Sequence, residues 1–119
     1  MLYDSCSLMA SKEEVRKGLE RIVAKLDNVE LKEYFKKFHK SVQFDYPDIN
    51  LSYVMEISGG RVKELKEGSV NRPNIVVELD SDTFLAILNK KINALDAYSS
   101  GKIKFKGAMT DLLKLQRLL

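Results

Sequence analysis

Chemistry at neutral pH needs a nucleophile, a titrating base or a cluster of metal ligands, and this chain is sparing in all three. It has one cysteine, Cys6, and one histidine, His39, in 119 residues. Cys6 sits in an irregular N-terminal stretch and His39 among lysines at the expected end of a helix, so no nucleophile–base pair is legible. A cation or hydrogen-bonding group near a helix C-terminus is the simpler role for His39. Asp80 and Asp82 flank Ser81, a spacing that starts a helix rather than pairing carboxylates for acid–base work. One cysteine allows no intrachain disulfide and one histidine no two-histidine zinc helix. Gly59-Gly60 lacks the glycine spacing of phosphate and dinucleotide loops and reads as a hairpin turn. No metal, no cofactor and no enzymatic activity are expected.

The polar residue in an unusual place is Gln116. A closing helix is expected over Met109 to Leu119. At 100° per residue, Leu115, Leu119, Leu112, Met109 and Leu113 share an arc of about 160°, and Gln116 falls inside it. Lys114, Arg117, Asp111 and Thr110 take the opposite side, with Leu118 stranded among them. A buried amide left unpaired costs about 1–3 kcal/mol. Gln116 therefore either bonds to backbone or faces a cavity and meets a ligand's polar group.

The elements that position these residues follow from periodicity. Ser11 with Glu14 is a capping box, and Val15, Leu19, Ile22, Val23 and Leu26 then line one helical face. A second helix is expected over Val29 to His39. Alternation then takes over in Val42 to Tyr46, in Ile49 to Ile57, and less strictly in Val62 to Lys66, where a bulge would restore the pattern. A crossover loop over Gly68 to Pro73 leads to a strand over Ile75 to Leu79. A deeply apolar helix around Phe84 to Leu88 follows, then a turn at Ala94 to Ser99 and a last strand over Lys102 to Lys106. The order is helix, helix, three strands, crossover, strand, two helices, strand, helix. That is an α+β layout with a mostly antiparallel sheet covered by helices on one face.

The chain suits one domain over residues 11–119 preceded by a short extension, 1–10. Its +3 net charge is too mild to imply nucleic acid, and no aromatic–basic platform motif is present. Lys32, Lys36, Lys37 and Lys40 lie close together, and Lys102, Lys104 and Lys106 share a strand face. Such rows keep a sheet soluble and blunt its edge, while each lysine near an anionic lipid surface adds about 1 kcal/mol of attraction, enough for transient contact. No signal peptide and no run of about 18 apolar residues is present, so a cytoplasmic location is expected.

The C-terminal third, from Glu78 through Leu119, resembles the closing segment of the sterol carrier protein 2 (SCP2) family. The resemblance is carried by the acidic cap and apolar helix at Asp80 to Leu88, by the Gly101 to Gly107 strand with its alternating lysines, and by Lys114-Leu115-Gln116. It implies a five-stranded sheet whose helix-covered face encloses an apolar tunnel for lipid, closed by the C-terminal helix. The function implied is non-enzymatic binding, shielding and transfer of a fatty acid, acyl-CoA, sterol or isoprenoid-like molecule. On that reading the wall is Phe84, Leu88, Phe105, Met109, Leu112 and Leu113, with Gln116 as the polar contact. The alternative is an accessory or dimerisation module docking a partner protein, with Leu118 and the N-terminal Leu2, Tyr3, Leu8 and Met9 supplying interface.

Overall fold

Ser11 opens the first helix in the expected way. Its hydroxyl accepts from the Glu14 amide at 3.1 Å while the Glu14 carboxylate accepts from the Ser11 amide at 3.0 Å. A computed structural model describes residues 10–119. Its elements are α1 (Lys12–Lys25), α2 (Val29–Tyr34), β1 (His39–Tyr46), β2 (Leu51–Ser58), β3 (Arg61–Glu67), β4 (Ile75–Leu79), α3 (Ser81–Leu88), α4 (Ala94–Ser99), β5 (Ile103–Lys106) and α5 (Met109–Leu115).

The five strands form one sheet in the order β3-β2-β1-β4-β5. Only β1 and β4 run parallel; the other three pairings are antiparallel. Val42, Phe44 and Tyr46 of β1, Leu51, Tyr53, Met55 and Ile57 of β2, and Ile75, Val77 and Leu79 of β4 are all buried on the covered face. The opposite face carries Glu56, Lys104 and Lys106 exposed. The β3–β4 crossover passes over it, and the Val70 amide donates to Gln43 Oε1 at 3.1 Å. The bulge expected in β3 is present: Glu56 pairs with Glu64 but Ile57 with Val62, leaving Lys63 as the extra residue.

Three boundaries and one helix cap differ from the sequence reading. First, α2 ends at Tyr34, and His39 opens β1 instead of closing a helix; its Nδ1 lies 2.8 Å from Ser58 Oγ. The apolar positions Phe35 and Phe38 continue the helical spacing, but they form a stacked turn whose rings meet edge-on at 5.4 Å. Second, Pro47–Ile49 is a 3-10 turn ended by left-handed Asn50, so β2 begins at Leu51. Third, the start of α3 is capped from a distance. The Asp80 side chain makes no cap hydrogen bond; Asp48 Oδ1 accepts from the Ser81 amide at 3.0 Å and its Oδ2 from the Ser81 hydroxyl at 2.6 Å. Left in an acidic neighbourhood, the Asp80 carboxyl is pushed up by burial first, then by Asp48, Asp82 and Glu78. Fourth, α5 ends at Leu115 rather than Leu119.

Three glycines are structural. Gly18 lets α1 approach α3: a Cβ there would lie 2.9 Å from both Leu88 Cδ1 and Phe84 Cε2. Gly59 and Gly60 form the two-residue hairpin turn with φ of 62° and 84°. A Cβ on Gly60 would sit 2.6 Å from the Lys32 carbonyl oxygen, whereas one on Gly59 meets only the His39 ring at 4.0 Å. Gly60→Ala is therefore expected to cost about 2 kcal/mol or more, since backbone clash adds to positive-φ strain, and Gly59→Ala about 1 kcal/mol from strain alone. Urea unfolding of the two variants side by side checks the difference.

Candidate functional site

The sheet's covered face supplies the floor of an apolar cavity through Val42, Phe44, Met55, Ile57, Val77 and Ile103. Ile22 of α1 closes one side. The roof is made by Leu112 and Leu115 of α5 and by Leu118 and Leu119 just beyond it. Free space at its centre is about 10 Å³, against the roughly 300–1,000 Å³ of a typical ligand pocket. The leucines of the C-terminal segment fill the chamber.

The roof is held down by polar contacts at its rim. Lys25 Nζ donates to the main-chain oxygens of Leu118 at 3.0 Å and Leu119 at 3.3 Å, and Lys90 Nζ donates to that of Leu119 at 2.9 Å. Burial, with Lys90 and Arg21 nearby, lowers the Lys25 ammonium from its ordinary pKa. At the other end of α5, Asp111 is buried and paired with Lys40 of β1 at 2.5 Å. Arg117 stacks over Tyr34, its guanidinium carbon 4.4 Å from the ring centre.

The residues singled out from sequence do not form one wall. Leu112 lines the cavity. Phe84 and Leu88 are fully packed beneath α3, with Phe84 6.0 Å from Phe44 and 5.3 Å from Tyr46 between ring centres. Phe105 is half-buried against the core edge. Met109 and Leu113 point outward, 50% and 43% exposed. Leu118, expected on the polar side, is buried and part of the roof.

The cause is a rotation of the inward arc. Asp111, Leu112 and Leu115 are the buried positions of α5, an arc of about 100° at 100° per residue, and Leu118 and Leu119 just beyond the helix are buried too. An acid belongs to this face because Lys40 meets it there. Hydrophobicity alone placed Met109 and Leu113 inside and left Asp111 and Leu118 out. Gln116 sits at the arc's margin, half-buried. It lines a separate recess of about 230 Å³ with Ile87, Lys90, Lys91, Ile92, Asn93, Ala94 and Leu119. Leu119 is thus a partition, one side in the dry chamber and the other in the polar recess. Of the residues assigned to a partner interface, Leu118 is unavailable, and Leu2, Tyr3, Leu8 and Met9, like Cys6, lie outside the described residues.

Residues 19–119 match the profile of the SCP-2 sterol transfer family. The chain belongs to that family. Among solved structures, the SCP2-like 2 protein of Aedes aegypti has a TM-score of 0.70 at 21% identity, covering 91% of this chain and 98% of the other. Its palmitated form in solution scores 0.66 at 21% identity, covering 85% and 89%. The sec-alkylsulfatase Pisa1 of Pseudomonas scores 0.64 at 19% identity over 74% of this chain, which spans 14% of that enzyme. Mouse stomatin-like protein 1 is 38% identical over 47 residues, 40% of this chain and 12% of the mouse protein. The α+β sheet with its helical cover is the SCP2-like fold, and the chain spans only a small part of the length of the mouse protein and of the sulfatase. No helix among the described residues is long and apolar enough to cross a membrane.

Among the described residues one buried side-chain polar atom lacks a partner: the Tyr46 hydroxyl. Burial, then Tyr53 and Asp45, holds its pKa well above the usual phenol value. Tyr46→Phe is expected to raise stability by about 1 kcal/mol at neutral pH by removing an unsatisfied group. A phenol that ionises more readily in the unfolded chain costs stability as pH rises above about 10, where the unfolded form deprotonates first. The substitution therefore gains most in alkaline buffer, which unfolding curves on both sides of that pH test.

Proposed function

We propose that the chain is a non-enzymatic carrier that takes the apolar tail of one lipid into the chamber beneath α5. The single observation that carries this reading is the wholly apolar chamber roofed by a short segment instead of by a full-length element. A lipid tail replaces the side chains of Leu118 and Leu119, exchanging one apolar filling for another. Each methylene taken from water contributes about 0.8 kcal/mol, which offsets the loss of leucine packing once the tail is long enough. That the Aedes aegypti relative exists in a palmitated form supports an acyl chain as a suitable occupant.

When the segment lifts, the partition at Leu119 goes with it, and the chamber opens into the recess of Lys90, Lys91, Asn93 and Gln116. Lys90, no longer bonded to the Leu119 main chain, is then free to meet a headgroup. Gln116 serves as the polar contact at the recess, Leu112 as the chamber wall, and Phe84, Leu88 and Phe105 as the packing that fixes its end. A fatty acid or acyl ester, polar at one end only, suits this arrangement better than a sterol.

The test is displacement of an environment-sensitive fatty-acid probe from the full chain, with native mass spectrometry for stoichiometry. Saturable 1:1 binding reversed by unlabelled fatty acid is expected. Absence of saturation across acyl chains of every length would overturn the proposal.

A further inference from the structure

We propose that the exposed seam between α2 and α5 docks on anionic bilayers. Among the described residues four large apolar side chains are exposed: Val29, Tyr34, Met109 and Leu113. Two of them lie on α5, and a third, Tyr34, is joined to that segment through Arg117. Met109 and Leu113 stand one turn apart on the outer side of α5, and Arg117, a further turn on, stacks on Tyr34 of α2. The helix whose inner side roofs the chamber thus also carries an apolar stripe facing water.

The charge around the stripe fits phosphate-bearing lipid. The acid of α5, Asp111, is buried and neutralised by Lys40, so the outward charges of this segment are Lys114 of α5 and Arg117 just beyond it. Lys114 Nζ reaches over the Phe38 ring at 5.9 Å, which keeps its charge at the seam. Glu30 and Glu33 of α2 are outnumbered by Lys32, Lys36 and Lys37 on the same stretch of chain. Apolar side chains with Lys114 and Arg117 on the same segment, and a tyrosine under the arginine, match the boundary between acyl chains and anionic headgroups. A protein partner would need a complementary acidic groove; a bilayer offers negative charge and an apolar layer together.

The inference rests on the carrier reading for its purpose, since docking would set the roof of the chamber against the lipid source. The experiment separates the two. The full chain is sedimented with vesicles of phosphatidylcholine alone and of phosphatidylcholine mixed with phosphatidylglycerol. Binding is expected on the mixed vesicles only, weakening with added salt. Met109→Ser with Leu113→Ser should lower partitioning at least about tenfold by removing the inserting side chains, with an unchanged melting temperature because both residues are exposed. Lys114→Gln with Arg117→Gln should erase the preference for anionic vesicles. Equal binding to neutral vesicles, no binding to either, or undiminished binding by the serine variant would each overturn the proposal. So would a stable dimer in light scattering that the serine variant dissolves, because the stripe would then belong to a second copy. Loss of fatty-acid probe binding in vesicle-free solution, with vesicle docking intact, would remove the carrier reading and leave the seam standing.

Discussion

Leu118→Ala is expected to lower the stability of the lipid-free protein by about 2–4 kcal/mol and at the same time to tighten fatty-acid binding. The first effect is that of any buried leucine, since Leu118 is only 2% exposed and touches the chamber from above. The second follows from what fills the chamber. With about 10 Å³ free, a lipid tail enters only after the roof has lifted, so apparent affinity is the intrinsic affinity multiplied by the fraction of molecules with the roof open. A substitution that weakens the closed form raises that fraction, and a tenfold gain in probe affinity corresponds to about 1.4 kcal/mol of lost roof packing. Thermal unfolding with and without fatty acid, alongside probe titration, reads both quantities. A variant that lost stability and affinity together would mean that Leu118 is a wall of the bound state rather than its competitor.

The fold was legible because its signals are local and repeated. The capping box at Ser11, the alternation through Tyr53, Met55 and Ile57, the glycine pair at the hairpin and the irregular spacing at Val62 and Leu65 each reflect backbone geometry within a few residues. The signals that failed are those with partners far along the chain. Asp80 was the natural cap for α3 by position, but Asp48, 33 residues earlier than Ser81, takes both hydrogen bonds. His39 followed a run with helical spacing, yet its neighbours pair along β2, and strand pairing outweighs the weak helical preference of a short segment.

The site was half legible for the same reason. That the last segment covers an apolar space follows from its leucines; which of them face inward does not, because the choice depends on whether Asp111 finds a cation. Lys40 is 71 residues away in sequence and supplies it. With that pair in place, Leu118 lies inside and Met109 and Leu113 lie outside. A buried acid in an otherwise apolar arc is the signal that a facing lysine would have to explain, and it is visible in sequence only when both residues are considered together.

Lys40→Met isolates that pair and should damage the roof about as much as Leu118→Ala. It leaves the Asp111 side chain, 8% exposed, without its counter-charge. Removing one partner of a buried pair costs about 3–5 kcal/mol. The 38% exposure of the Lys40 side chain and the favourable position of an acid in the first turn of α5 both reduce this, so about 2–4 kcal/mol is expected. Asp111→Asn should cost less, because the amide oxygen can still accept from Lys40, whose partly exposed ammonium stays solvated. Lys40→Met combined with Asp111→Leu should recover most of the loss, since two apolar side chains then meet where two charges did. Urea unfolding of the three variants and the parent gives the coupling energy directly. If Lys40→Met alone were neutral, the ion pair would not be what orients α5, and the rotation of its inward arc would have to come from the fit of Leu112, Leu115 and Leu118 against the sheet.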